Sequence, residues 1–212
     1  MKYNILAIGA HFDDIELGCG GTLAKFSQLG HNVYGYVATK SGFSNENSDL
    51  VRSSEVAYRE GQNAGKILGL KKLLQGNFKT LCIEFDDNLN IDLLQIINKY
   101  EINFVLCHWP GDVHHDHIAV GRSSLHSARH VPRILSYRSN WYHSENIFRG
   151  NFYVDIEQTW EIKKQAVLAH ESEVHRTGLK WISFFENEAL NAGQRIGVKY
   201  AESFEVIKWL DS

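Results

Sequence analysis

The sequence has 212 residues, 43% hydrophobic and 22% charged, with a formal net charge of −3. That is the size and apolar content of one globular domain over residues 1–212. The acidic balance argues against a nucleic-acid partner, because phosphate binding asks for a basic surface. No apolar run reaches the roughly 20 residues of a membrane span, and Ile5–Ala10 is too short for a secretory leader. The 3 cysteines, Cys19, Cys82 and Cys107, are far apart and form no C-x-x-C pair; this argues against a disulfide framework or a cysteine zinc knuckle and suits a reducing, cytoplasmic setting.

Tyr3–Ile8 is short and apolar, the pattern of a buried parallel strand. Gly18-Cys-Gly-Gly-Thr22 leads into a helix in which Leu23, Ala24, Phe26 and Leu29 have helical spacing, ended by Gly30. Val33–Thr39 reads as a second strand and completes a βαβ unit, which requires a parallel sheet. A polar loop over Lys40–Asp49 precedes a long helix from about Val51 to Leu68, closed by Gly69. One or two short strands are expected within Lys71–Ile83, an amphipathic helix over Asn90–Tyr100 and a buried strand over Asn103–Cys107. Gly111–Asp116 reads as a loop, followed by a helix from Ile118 to about Ala128. Pro132–Arg138 and Phe152–Ile156 are expected as strands, Thr159–His170 and Ile182–Asn191 as helices, and Tyr200–Val206 as a strand or extended tail. The expected fold class is α/β, a single three-layer sandwich with a mostly parallel sheet and a Rossmann-like N-terminal half.

Histidine stands out: the chain has 11, and His108, His114, His115 and His117 fall within ten residues. In open α/β sheets ligands bind beyond the carboxyl ends of the strands. His11, Asp13 and Asp14 follow the first strand, and His114, His115, Asp116 and His117 follow the strand that ends near Cys107. Two polar clusters, far apart in sequence, are thus brought to one rim. A catalytic zinc takes three His or carboxylate ligands and keeps one position open; His11, Asp14 and a histidine of the second cluster can supply them, leaving Asp13 beside the metal as a general base. The blander readings are a helix-capping role for the carboxylates and for Glu16, and ordinary surface or core roles for His115, His108, His126 and His130. Gly18-Cys-Gly-Gly is not G-x-G-x-x-G, and the neighbouring carboxylates would repel a pyrophosphate.

These residues carry a family resemblance. Ala10-His-Phe-Asp-Asp-Ile-Glu-Leu-Gly-Cys-Gly-Gly21 resembles the (A/P)-H-P-D-D-x-E-x-x-x-G-G signature of the PIG-L/LmbE deacetylases, and His114-His-Asp-His117 resembles their H-x-D-H motif. Tyr153-Val-Asp-Ile156, the Lys163, Ala166, His170, Ser172 series and Tyr200-Ala-Glu-Ser-Phe204 resemble later family segments. The resemblance implies His11, Asp14 and His117 as metal ligands and Asp13 as the base. It gives His114 the oxyanion or the leaving amine, and Asp116 the task of fixing a histidine tautomer. It also implies a zinc-dependent amide hydrolase that releases acetate from a small acetamido sugar or sugar conjugate, with no membrane span and room for a homo-oligomer. Fe2+ stays open beside Zn2+, because two histidines and one carboxylate also suit ferrous iron. Other amides, such as thiol–sugar or lipid-linked conjugates, are the alternative substrates. A non-catalytic metal or carbohydrate-binding protein would have no need of Asp13. Three positions depart from the pattern. Phe12 replaces proline, Glu173 replaces a glutamine, and the substrate arginine is carried best by Arg52 in Arg52-Ser-Ser-Glu55, with Arg59 the other choice. Trp109, Trp141, Tyr142 and Trp181 are candidates for a sugar-stacking wall.

Overall fold

The computed structural model describes residues 2–211. In chain order it forms β1 (Asn4–Gly9), α1 (Asp14–Gln28), β2 (Asn32–Thr39), β3 (Phe43–Ser44), β4 (Leu50–Arg52), α2 (Ser54–Ile67), β5 (Lys72–Phe78) and α3 (Asp87–Lys99). There follow β6 (Phe104–His108), α4 (His115–Ser127), β7 (Arg133–Tyr137), β8 (Phe152–Asp155), α5 (Trp160–Leu168), α6 (Glu171–Thr177), α7 (Lys180–Ile196) and β9 (Ala201–Trp209). The 7-stranded sheet has the order β5-β2-β1-β6-β7-β9-β8. Strands β5 through β7 in that order run parallel, and β9 pairs antiparallel with both β7 and β8. The fold is the α/β sandwich expected. Among the described residues no helix is long and apolar enough to cross a membrane.

Strand period explains the layers. Ile5 and Ala7 of β1 point into one core, with Leu23 of α1, Ala64 of α2 and Ala166 of α5. Leu6 and Ile8 point into the other, with Leu93 of α3 and Val120 of α4. Sequence order reverses at β1: the chain passes from β1 to β2 on one side and returns to β6 on the other. The crevice beyond the carboxyl ends of β1 and β6 is therefore the topological switch point.

Several boundaries differ from the periodicity reading. Helix α1 starts at Asp14, so the glycine segment lies inside it, with a kink at Cys19 (φ −146°). The glycines are there for close packing: a Cβ on Gly18 would lie 2.1 Å from the Tyr137 ring, and one on Gly21 2.8 Å from Ile156. Helix α4 starts at His115, which puts Asp116 and His117 on its first turn rather than at the end of a loop. Helix α2 starts at Ser54, so Arg52 ends the short strand β4 instead of opening the helix. The segment Glu171–Thr177 is a short helix of its own, and Ala201–Trp209 is a full strand of the central sheet. Phe12 has a structural use: its amide donates to Ser41 Oγ at 2.8 Å, a bond proline could not make. Its buried ring lies against Gly61 of α2, where a Cβ would come within 2.2 Å of it.

Candidate metal centre

The β1–α1 turn is built around Asp14. Its Oδ2 accepts the backbone N–H groups of Ala10 (3.0 Å) and His11 (2.7 Å), and its Oδ1 accepts Ser139 Oγ (2.8 Å). Two ring nitrogens then converge on the same carboxylate. His117 Nε2 lies 3.3 Å from Oδ1 and His11 Nδ1 lies 3.5 Å from Oδ2. A tetrahedral metal with bonds of about 2.0–2.1 Å separates its ligand atoms by roughly 3.3 Å, and each of these two spacings is of that order. Donor atoms of His11, His114 and His117, and those of Asp14, His108 and His117, lie within 4.8 Å of one another. His108 Nε2 approaches Asp14 Oδ2 at 3.1 Å from the buried end of β6, and its ring stacks on His117 at 4.1 Å between centroids. His108 thus belongs to the site rather than to the ordinary core.

Each converging histidine has a carboxylate behind it. His11 Nε2 is bonded to Asp116 Oδ2 at 2.8 Å, which leaves Nδ1 toward Asp14. His117 Nδ1 is bonded to Asp112 Oδ2 at 3.1 Å, which leaves Nε2 toward Asp14. This arrangement selects the tautomer and orientation a metal-binding imidazole needs. Asp116 is fully buried and also accepts the amides of Leu81 (2.8 Å) and Ile83 (2.9 Å). It acts from behind His11 and does not face the cavity. His115, whose side chain is 58% exposed, reaches Asp116 from outside at 3.1 Å.

Charge follows the geometry. Burial alone would lower both histidines, but bonds to Asp116 and Asp14 raise His11 to about 9. Asp14 and Asp112 raise His117 to about 10. Burial would raise Asp14, yet His117 and His108 hold it well below the usual carboxylate range. His114 is the opposite case: burial, then His117 and His11, lower it to about 4. Its ring stacks on His117 at 4.4 Å and its buried Nδ1 has no partner.

Asp13 sits at the N-terminus of α1 with φ 132°, a conformation that non-glycine residues avoid and that sites retain when it aims a side chain. Burial and the neighbouring Asp14 push its carboxyl up to about 7, against the pull of Arg52 and His170. Arg52 is buried and faces inward. It donates to Phe12 O (3.1 Å) and Glu60 Oε2 (2.9 Å), and lies 3.7 Å from Asp13 Oδ2 and 3.2 Å from His170 Nδ1. Its terminal nitrogens are thus taken up within the protein. Arg59 is exposed on α2. The cation that stands at the cavity wall with exposed surface is Arg176, paired with Glu173 and lying over the Phe43 ring.

A cavity of about 290 Å³ opens onto His11, Asp13, Asp14, Arg52, His114 and His117. Trp141 and Tyr142, 38% and 50% exposed, and the more buried Trp181 form part of its wall. Trp109 packs on Phe148 and is not part of this wall. Sequence reasoning missed Asp112, Ser139, Asn140 and Arg176. Asp112 carried a signal, lying two residues before His114 in the histidine-rich loop; Ser139, Asn140 and Arg176 belong to no metal pattern.

The sequence matches the family model described as GlcNAc-PI de-N-acetylase (PIG-L) over residues 6–128. It is 34% identical over 180 residues to the uncharacterized deacetylase YaiS of Escherichia coli K12, covering 81% of this chain and 92% of that protein. It is 25% identical over an alignment of 224 residues to the diacetylchitobiose deacetylase of Thermococcus kodakarensis, covering 96% and 82% of the two chains. The structure superposes on the N,N′-diacetylchitobiose deacetylase of Pyrococcus horikoshii with a TM-score of 0.81 at 24% identity, over 96% of this chain and 83% of that one. The chain belongs to the PIG-L family of de-N-acetylases, hydrolases of amide bonds.

Proposed function

We propose that the protein is a zinc-dependent deacetylase that hydrolyses the acetamido group of an N-acetylated amino sugar or sugar conjugate. The observation that carries this reading is the convergence of two carboxylate-backed histidines, His11 and His117, on Asp14, with Asp13 left facing the cavity. His11 Nδ1, Asp14 and His117 Nε2 would hold the ion. A zinc bound there supplies Lewis acidity toward the carbonyl and a lowered pKa for water; the same donor set accepts Fe2+.

Asp13 takes the proton of the attacking water, a task suited to a carboxylate whose pKa lies near neutrality. The water oxygen bonds to the acyl carbon. His114, on the cavity side of His11 and His117, faces the oxygen that becomes negative and the nitrogen that leaves. The C–N bond breaks, the amine leaves with the proton Asp13 collected, and the acyl group leaves as acetic acid, which gives up its remaining proton to become acetate. Asp116 and Asp112 keep the two rings aimed, and Arg52 holds Asp13 and the Phe12 carbonyl from behind. The relatives named for diacetylchitobiose, together with the Trp141 and Tyr142 wall, support a sugar substrate.

The test is acetate release over free, nucleotide-linked and lipid-linked acetamido sugars, with the metal-stripped protein reloaded with Zn2+ or Fe2+. Zinc-restored release from at least one of them is expected. Turnover that survives stripping, or none with any of them, would reject the reading.

A further inference from the structure

The segment after β7 carries four consecutive residues with alternating loyalties. Ser139 Oγ donates to Asp14. Asn140 Nδ2 lies 3.0 and 2.8 Å from the two oxygens of Asp112, and 3.3 Å from His117 Nδ1. Trp141 and Tyr142 then form cavity wall. Asn140 joins the two functions in one side chain: its Oδ1 accepts the Tyr142 amide at 3.1 Å while its Nδ2 grips the carboxylate behind His117. Among the described residues, few other contacts hold the wall. Arg138 Nη2 donates to the Tyr142 carbonyl at 3.0 Å, and Phe184 packs on Trp141 at 5.5 Å. The far side of the cavity repeats the plan, since Asp116 holds both His11 and the amide of Leu81, another wall residue.

We propose that Asn140 is a positioning residue that ties the carboxylate behind His117 to the Trp141–Tyr142 wall, so that metal affinity and the fit of the substrate wall change together. This rests on the reading of His11, Asp14 and His117 as the metal set. Fixing the His117 ring fixes Asp112, Asp112 fixes the Asn140 amide, and the amide fixes the Tyr142 backbone. Loading the metal therefore orders the wall, and loosening Asn140 weakens metal binding.

The probe is Zn2+ alone on the full chain, by competition with a chromophoric chelator, together with amide exchange of residues 139–145 with and without Zn2+. The variants are Asn140→Asp, which keeps an acceptor for the Tyr142 amide but sets a second carboxylate against Asp112, and Asn140→Ala, which removes both contacts. Loss of the carboxylate bonded to a ligand histidine costs about 10–100-fold in metal affinity; Asn140 stands one contact further out, so a loss toward the lower end of that range is expected, larger in Asn140→Asp. Zinc should slow exchange of the Tyr142 amide in the wild type but not in Asn140→Ala, and KM should rise in both variants. Unfolding curves like the wild type's set aside misfolding. Should Asn140→Ala fail to fold, Asn140→Asp and the wild-type exchange experiment still decide. Unchanged zinc affinity in the variants, or wild-type exchange at Tyr142 indifferent to zinc, would overturn the coupling while leaving the metal set intact. A wild type that binds no zinc, or a His117→Ala variant that binds it as well as the wild type, would instead remove the metal reading beneath it.

Discussion

Two of the buried ionic clusters in this protein are built to opposite rules. Lys163 Nζ meets Leu17 O (2.7 Å) and Glu202 Oε1 (2.6 Å), while Glu202 accepts the amides of Gly21 (3.0 Å) and Thr22 (2.7 Å). One cation faces one anion, the remaining oxygens meet backbone donors, and the result clamps α5 and β9 onto the glycine face of α1. Around Arg52, the guanidinium faces Asp13, Glu60 and Glu173, and Glu173 is shared with Arg176. The Arg52 Nε is buried without a hydrogen-bond partner, and His170 Nε2 lies 3.6 Å from Glu16 Oε2. A matched cluster fastens secondary structure. In the Arg52 cluster, which opens on a cavity, burial and Asp14 keep the Asp13 carboxyl poised near neutrality against the pull of Arg52 and His170, a use that structural packing does not require.

The largest expected effect breaks the comparison at Asp13. Asp13→Asn keeps the shape and removes the base, so kcat should fall by about 10²–10⁴-fold while zinc content, measured by elemental analysis, stays at the wild-type level. Unchanged turnover would mean that the cluster around Arg52 serves structure alone, and loss of zinc would make Asp13 part of the metal set.

Next in size is the matched cluster. Lys163→Met leaves Glu202 buried with its charge uncompensated, and breaking such a pair costs about 3–5 kcal/mol. Urea unfolding should register that loss with zinc affinity unchanged. Adding Glu202→Met should not restore stability, because the amides of Gly21 and Thr22 would then lose their acceptors inside the protein. Restored stability would show that the pair contributes only packing.

The same contrast sets what the sequence could disclose. Apolar period and glycines located the sheet and most helices, because strand and helix periods are local properties. The His11–Asp14 and His114–His117 motifs were legible for a related reason: short turns after β1 and β6 carry them, and parallel pairing of those strands brings the turns together. Ser139, Asn140 and Arg176 were not legible. They reach the site through the third dimension, from the end of β7 and from a short helix, and an isolated Ser, Asn or Arg carries no chemical pattern. His108 was read as an ordinary histidine, like His126 and His130; the β1–β6 pairing sets it against Asp14. Arg52 was assigned to substrate from a helical motif; the chain at that point is a short strand, and its buried guanidinium reaches the cavity beside Asp13.

The smallest expected effect sharpens the difference in proton terms. His11 and His117, at about 9 and about 10, lie above the ordinary histidine value of 6.5. In the metal-free protein their contribution to stability is therefore full below about pH 6.5 and is lost as the pH rises through those values. A metal needs the ring nitrogens free, so zinc must expel these protons on binding. Zinc affinity should then rise with pH by up to tenfold per unit for each proton released, flattening above about pH 10. Calorimetry at pH 7 in two buffers of different ionisation enthalpy counts the protons directly, and one to two are expected. Carrying this out in Asp13→Asn removes Asp13, whose carboxyl titrates near pH 7, from the count. The Lys163→Met variant should show the same proton count as the wild type, since that cluster makes no contact with the metal set. A count near zero would mean that the carboxylates behind the two rings orient them without holding them charged.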